Sequence, residues 1–205
     1  YMYAYAEGFP SNNIHELTAG VENKEVDGWA QDNGLFSLFG RIGYNYDGKY
    51  LLEANLRYDG SSRLPEDSRF GLFPSFSTGW KISDENFMQG IESVSFLKLR
   101  ASWGKLGNQE IGNYPYVQTL SAGQDYLIGG KLQGGAAITD IANSNIVWET
   151  TTIADIGLDV NLFEDKLQMT VDYFDKATSD ILLRLPIPAT QGDVEAPYQN
   201  VGSVS

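Results

Sequence analysis

The sequence predicts an all-β chain, an antiparallel transmembrane β-barrel segment with about six full strands. Three observations predict it. Apolar and polar residues alternate with period two in six segments, aromatic residues stand at the ends of the apolar stripes, and tight turns alternate with long loops. Strand side chains point alternately to two faces, so each segment carries one apolar and one polar face. A barrel wall in a bilayer needs an apolar band about 25 Å tall, rimmed by aromatic girdles, with short periplasmic turns and longer outer loops.

In residues 37–46, Leu38, Gly40, Ile42, Tyr44 and Tyr46 alternate with Ser37, Arg41, Gly43 and Asn45, with Phe39 as the exception. In 49–59 the apolar stripe is Tyr50, Leu52, Ala54, Leu56 and Tyr58, set against Lys49, Leu51, Glu53, Asn55, Arg57 and Asp59. Tyr50 to Tyr58 is eight steps, roughly 20 Å of height at about 3.3 Å per residue and a tilt near 40°. Residues 72–83 place Leu72, Phe76, Thr78, Trp80 and Ile82 opposite Ser75, Ser77, Gly79 and Lys81. In 96–104 the parity flips, and Leu97, Leu99, Ala101 and Trp103 oppose Lys98, Arg100 and Ser102. Residues 148–161 set Trp148, Thr150, Thr152, Ala154, Ile156, Leu158 and Val160 against Glu149, Thr151, Asp155, Asp159 and Asn161, with Ile153 as the exception. The last segment, 166–174, sets Leu167, Met169, Val171 and Tyr173 against Lys166, Gln168, Thr170 and Asp172.

The connections carry parity information. Tyr46 and Tyr50 share a face only if the intervening loop has an odd number of residues, which Asp47-Gly48-Lys49 supplies with Gly48 in the left-handed conformation. Residues 162–165 close the second tight turn with an even count, matching the flip there. Long connections cover 60–71, 105–146 and everything after 183. Placing short turns in the periplasm puts Tyr44, Tyr46, Tyr50 and Trp80 near the inner rim and Tyr58, Trp103, Trp148 and Tyr173 near the outer rim.

Composition narrows the function classes. Twenty-two glycines and 13 % aromatics suit a β chain rich in turns. There is no cysteine, hence no disulfide and no thiolate metal site. His15 is the single histidine, so multi-histidine zinc sites are excluded and a Ser-His-Asp triad would hang on one residue in a polar stretch; no enzyme is expected. A net charge of −13 argues against nucleic acid, whose phosphates need clustered Lys and Arg. No stretch reaches the roughly 18–20 apolar residues of a membrane helix, a test blind to barrels.

Six strands are fewer than the eight of the smallest natural outer-membrane barrels, and open edges in hydrocarbon leave costly unpaired backbone groups. The start at Tyr1 without a signal peptide and the stop at Ser205 within an unfinished pattern add to the expectation of an internal piece of a longer polypeptide. The expected organisation is an extracellular loop region with the end of a preceding strand in 1–36, six barrel strands in 37–183 with the long outer loop 105–146, and an extracellular loop leading into the next strand in 184–205. The alternatives are a soluble β-sandwich carbohydrate-binding module and a small complete eight-strand barrel.

Particular residue runs are more specific. Arg57-Tyr58-Asp59-Gly60-Ser61-Ser62-Arg63, then Phe73-Pro74-Ser75-Phe76-Ser77-Thr78-Gly79-Trp80, then Leu97-Lys98-Leu99-Arg100-Ala101-Ser102-Trp103-Gly104 follow in order. Gly107-Asn108-Gln109, Ile111-Gly112-Asn113-Tyr114-Pro115-Tyr116, Trp148-Glu149, Asp172-Tyr173-Phe174 and Asp180-Ile181-Leu182-Leu183 continue the series. In sequence, order and spacing this set resembles the barrel of SusC/RagA-type TonB-dependent outer-membrane transporters over roughly residues 35–205. The resemblance implies a segment of a 22-stranded barrel plugged by an N-terminal domain, in the outer membrane of a Gram-negative bacterium. It also implies energy from a TonB complex, a SusD-like surface lipoprotein as partner, and glycan oligomers or peptides as cargo. The plug and the TonB-contacting box lie outside this chain.

Candidate site residues follow from the faces and loops. Arg41, Glu53, Asn55, Arg57, Lys81, Lys98, Arg100, Glu149, Asp155, Asp159 and Asp172 would line the lumen, either touching plug or cargo or pairing charges across the ladder to hold the wall. Tyr114, Tyr116 and Tyr126, in a loop too long for a simple connection, would contact cargo or the partner lipoprotein, or pack over the mouth. Asp59, Glu66, Asp67 and Asp140 could gather around Ca²⁺, although no EF-hand spacing is present. Gly129-Gly130 and Gly134-Gly135 lack a phosphate-loop context and read as loop tips. Asp84-Glu85, in a connection of medium length, and Glu164-Asp165, in a tight one, sit in periplasmic turns, where neighbouring side chains diverge, a poor arrangement for acid–base chemistry.

Overall fold

A computed structural model describes residues 2–7, 22–28, 30–192 and 194–205. His15 lies outside the described residues. The chain divides into two units, Tyr1–Asn33 and Gly34–Ser205. In the first, β1 (Met2–Glu7) and β2 (Glu22–Gly28) pair antiparallel, Met2 opposite Gly28, with an irregularity between Tyr5 and Glu7.

The second unit begins with β3 (Leu35–Tyr46), β4 (Tyr50–Ser61), β5 (Phe70–Lys81) and β6 (Val94–Asn108). Four short strands, β7 (Ser121–Ala122), β8 (Tyr126–Ile128), β9 (Lys131–Gln133) and β10 (Ala136–Ala137), lie in the long loop that follows. Then come β11 (Glu149–Leu162), β12 (Leu167–Ser179), β13 (Leu182–Arg184), β14 (Tyr198–Asn200) and β15 (Ser203–Val204). The order in the main sheet is β15-β12-β11-β6-β5-β4-β3, antiparallel throughout and open. All six segments with period-two alternation are strands, and they pair as consecutive neighbours. β6 and β12 run further than the alternation indicated, to Asn108 and Ser179, because backbone pairing continues after the apolar stripe has ended.

The register collects the alternating residues onto common faces. Tyr46, Tyr50, Trp80, Leu99, Leu158 and Val171 stand side by side in one row, and Tyr44, Leu52, Thr78, Ala101, Ile156 and Tyr173 in the next. This face is open: Leu38, Ile42, Tyr44, Leu52, Phe76 and Tyr173 are all exposed. A sandwich would cover such a face with a second sheet; an apolar surface of this extent requires another solvent.

The apolar band does not run along the rows. Its upper edge moves from Phe36 on β3 to Tyr173 on β12, the row-mate of Tyr44, eight positions further down. Its lower edge moves from Tyr46 to Leu167, four positions beyond Val171, the row-mate of Tyr46. The mean descent is about 1.2 residues per strand. At a rise of about 3.3 Å and a strand spacing of about 4.8 Å, that makes a tilt near 40°, the value at which a barrel wall holds its band level in a bilayer.

The tight turns set the register. Asp47 and Gly48 both have positive φ (54° and 67°), and the Lys49 amide donates to the Tyr46 carbonyl at 3.0 Å. This is the primed geometry for which Asp-Gly is suited. Asn45 Oδ1 accepts from the Gly48 amide at 2.9 Å. Between Leu162 and Leu167, Phe163, Glu164 and Asp165 all have positive φ, and the turn is strapped to its neighbour by Phe163 N to Ser93 O (3.0 Å) and Asp165 N to Ser95 Oγ (3.2 Å).

Candidate functional site

Two surfaces carry chemistry: the polar face of the sheet and the loop layer at the end of the sheet away from the tight turns. The register places Arg41, Glu53, Asn55, Arg57, Lys81, Lys98, Arg100, Glu149, Asp155, Asp159 and Asp172 on one face, opposite to the apolar band. Most are bonded to one another or to nearby groups. Arg100 forks onto Asp159 (2.8 and 3.1 Å) and reaches Asp172 at 2.8 Å; Arg41 pairs with Glu53, which also accepts from Asn55 at 3.0 Å. Arg57 holds Asp59 at 3.2 Å and Lys81 holds Asp84 at 2.8 Å. Lys98 and Asp155 form no ion pair among the described residues. Both stand at a hollow of about 450 Å³, floored by small residues including Gly43, Ser77 and Ser102.

Arg100 can reach Asp172 only because the residue between them is glycine. A Cβ at Gly157 would collide with the Asp172 carboxylate and come within 2.7 Å of Arg100 Nη2. Gly157→Ala is therefore expected to break the three-strand bridge while the backbone ladder holds. In the full-length protein, a double-mutant cycle with Asp172→Asn should show the Asp172 contribution, of order 0.2–1 kcal/mol, vanish in the Gly157→Ala background.

The aromatic rims differ in how they are held. At the tight-turn end Tyr50 stacks on Trp80 (6.4 Å, 11°), and Tyr46 lies 6.2 Å from Tyr50. Glu85, in the turn 82–93, accepts from Tyr50 Oη at 2.6 Å and Trp80 Nε1 at 3.0 Å, with Lys49 Nζ 3.7 Å away. These contacts hold the Glu85 carboxyl below the usual carboxylate range, the Tyr50 hydroxyl first, then the Trp80 indole and the Lys49 charge. Because the folded value is depressed, the contribution is complete above the unfolded value of about 4.3 and is lost as pH falls through the folded one. Protection of the amides in 82–93 against exchange, taken relative to the intrinsic rate at each pH, should fall as pH drops through the depressed Glu85 value in the native protein and show no such step in Glu85→Gln. At the other end Tyr58 stacks on Phe70 (5.0 Å, 7°), and Phe76 stacks on Trp103 (6.1 Å).

Trp148 departs from its expected place in the outer rim. It stands just before β11, is 8 % exposed, and packs with Leu64, Phe73, Ile111 and Ile146, Leu64 and Ile146 being fully buried. Its indole meets the Phe73 ring edge-on at 5.3 Å, and Nε1 donates to the Arg69 carbonyl at 3.2 Å. Strand parity does not govern a residue outside the strand, so the ring turns under the loops and meets Phe73, which stands on the polar face.

This cluster is the centre of a braced loop layer. Ser61 bonds Gln109, Arg63 Nε donates to Asn113 Oδ1 at 3.2 Å, Tyr116 Oη to Ser62 O at 3.2 Å, and Ser68 to Ile146 O. Glu149 accepts from Asn108 and from the Leu182 amide; Asn200 ties Val147 to Asp180; Asn143 reaches Tyr198 O at 2.8 Å. These are largely the residues of the distinctive sequence runs, and they join four segments of the loop layer rather than facing a ligand. Sequence reading missed this role, since a polar loop residue and a loop cross-link look alike until the partner is known. Tyr116 is thus a brace and meets Tyr114 edge-on at 6.2 Å, whereas Tyr126 projects from the β8–β9 hairpin, 74 % exposed. Asp59, Glu66, Asp67 and Asp140 are not brought together: Asp59 is held by Arg57, Glu66 and Asp67 head a 3-10 turn, and Asp140 bridges to Glu195. No group of three or more potential metal ligands occurs among the described residues.

A tilted antiparallel sheet with one open apolar face banded by aromatics and one charge-paired face defines a segment of a transmembrane β-barrel wall. The chain belongs to the family described as TonB dependent receptor-like, beta-barrel, which it matches over residues 3–205, and its place is the outer membrane of a Gram-negative bacterium. It is 37 % identical over 195 residues to TonB-dependent receptor P39 of Formosa agariphila, covering 94 % of this chain and 18 % of that protein. With TonB-dependent receptor SusC of Bacteroides thetaiotaomicron it shares 34 % over 184 residues, 88 % of this chain and 18 % of that one. The RagAB peptide importer in the closed-closed state superposes with a TM-score of 0.79 at 28 % identity, over 97 % of this chain and 22 % of that chain. The chain spans about a fifth of the length of the curated relatives it matches.

Proposed function

We propose that this chain supplies wall and outer loops to a TonB-dependent importer that takes up peptides or glycan oligomers with a surface lipoprotein as partner. The observation that carries the reading is the slope of the apolar band, which fits a wall tilted through a bilayer and leaves the opposite, charge-paired face to the lumen. On that face the bonded residues hold the wall, and Lys98 and Asp155 at the hollow are the ones left to meet the plug. The relatives support the importer reading: SusC is a TonB-dependent receptor, and the RagAB neighbours are named as peptide transporters.

The partner contact falls on the β8–β9 hairpin, where Tyr126, Leu127, Ile128 and Leu132 are all exposed and none is used by the braces. Ala122 pairs with Ala136 at the base of this projection, so residues 123–135 can be removed between neighbouring positions. In the full-length protein this deletion is expected to leave barrel assembly intact and to reduce cargo uptake severalfold. Uptake at the native level would return the hairpin to a packing role.

A further inference from the structure

At the tight-turn end of the sheet, the periplasmic side in a wall of this kind, the 82–93 connection between β5 and β6 is wound rather than slack. Ile82–Asp84 and Asn86–Met88 are 3-10 turns. Glu85 N donates to Ile82 O (3.0 Å), Met88 N to Glu85 O (3.0 Å), Ile91 N to Met88 O (2.9 Å) and Val94 N to Ile91 O (3.2 Å). This series leaves fewer backbone groups to be met from outside the segment. Two of its carboxylates are also met: Asp84 pairs with Lys81 at 2.8 Å, and Glu85 is held by Tyr50, Trp80 and Lys49. Glu92 is exposed and forms no ion pair among the described residues.

Against this background the connection displays Phe87, 65 % exposed, and Ile91, 46 % exposed, four residues apart. Phe163 is exposed in the next turn, which is strapped to Ser93 through its own amide. The turn Asp47-Gly48-Lys49 at the same end shows no apolar side chain. The Glu85 bonds say which side of the wall the connection follows. Tyr50 and Trp80 both stand on the apolar face, so the chain two residues before Phe87 passes beneath lipid-facing rings. The ends of the connection are fixed on neighbouring strands about 4.8 Å apart, and its turns keep it short, so it stays near the level where hydrocarbon gives way to headgroups. We propose that Phe87 and Ile91 anchor this connection in the phospholipid headgroup layer of the periplasmic leaflet, continuing the rim of Tyr46, Tyr50 and Trp80 beyond the strands. An aromatic and an aliphatic side chain gain from leaving water at the acyl boundary, while the free backbone groups and Glu92 keep the water and ammonium groups of a zwitterionic headgroup layer. The proposal rests on the wall reading and is independent of the cargo.

The test uses the full-length protein, cleared of other cysteines and reconstituted in vesicles of phosphatidylcholine and phosphatidylethanolamine. Spin labels are placed singly by Phe87→Cys, by Asp47→Cys in the tight turn at the same end, and by Ala54→Cys in the wall, and assembly of each variant is checked by heat-modifiable migration. The ratio of oxygen to nickel-chelate accessibility is expected to be severalfold higher at 87 than at 47. With the label moved to Gln89→Cys, the pair Phe87→Ser and Ile91→Ser is expected to raise nickel access severalfold. Equal ratios at 87 and 47 would place the connection in periplasmic water and overturn the anchor. A label at 87 shielded from both reagents would mean that protein covers it, which also overturns the anchor. Nickel access at 89 unchanged by the two serines would show that these side chains do not hold the segment. In each of these cases a label at 54 that favours oxygen leaves the wall reading standing, whereas one that favours nickel removes the wall reading itself.

Discussion

Leu52→Arg in the full-length protein is expected to lower barrel stability by about 2–4 kcal/mol, whereas Asn55→Arg, three residues along the same strand, is expected to be nearly neutral. Leu52 lies in the open apolar face between Tyr44 and Thr78, two residues from the Tyr50–Trp80 stack. A guanidinium there is placed in hydrocarbon with no partner, since its row-mates are apolar or small. Asn55 stands on the opposite face opposite Arg41 and Ser75, bonded to Glu53. A second cation there meets water and a neighbouring carboxylate. Unfolding in urea after reconstitution into lipid vesicles measures both. Equal losses would mean that the two faces see the same medium.

Trp148→Ala is expected to remove about 3–5 kcal/mol, the range for deleting a large buried aromatic ring. The loss should appear locally, because Trp148 holds Leu64, Phe73, Ile111 and Ile146 together and caps the Arg69 carbonyl, while the ladder of β3 to β12 does not depend on it. Trypsin should then cut at Arg63 or Arg184, sites that resist cleavage in intact cells bearing the native protein. Trp148→Phe keeps most of the packing and loses one hydrogen bond, about 1 kcal/mol. A trypsin pattern unchanged in Trp148→Ala would show that the braces hold the loops without the cluster.

The wall was legible in the sequence because a strand in a bilayer repeats one simple demand at every second residue. Tyr50, Leu52, Ala54, Leu56 and Tyr58 declare their face without reference to any other strand, and the odd loop 47–49 carries that face across to β3. The stagger between strands was not legible, because it exists only in the pairing of Tyr46 with Trp80 and Val171 through intermediate strands. The loop layer was less readable still. Trp148 follows the parity of Thr150 in sequence, yet it lies one residue outside the strand and turns inward. Glu85 looked like one member of an idle acidic pair, and its partners Tyr50 and Trp80 are 35 and five residues away. Contacts of that kind have no period and no motif. The segment 1–36 was expected as loop with the end of a strand; among its described residues β1 and β2 pair antiparallel, and Leu35 and Phe36 already open β3.

The most direct measurement is spin-label accessibility at adjacent residues of one strand. The chain has no cysteine, so Ala54→Cys and Asn55→Cys can each be labelled in this segment without a background site. In the full-length protein reconstituted in lipid, the label at 54 is expected to be relaxed strongly by oxygen and weakly by a water-soluble nickel chelate, and the label at 55 to show the reverse. The same response at both positions, or the opposite assignment, would contradict a wall with its apolar band in the membrane.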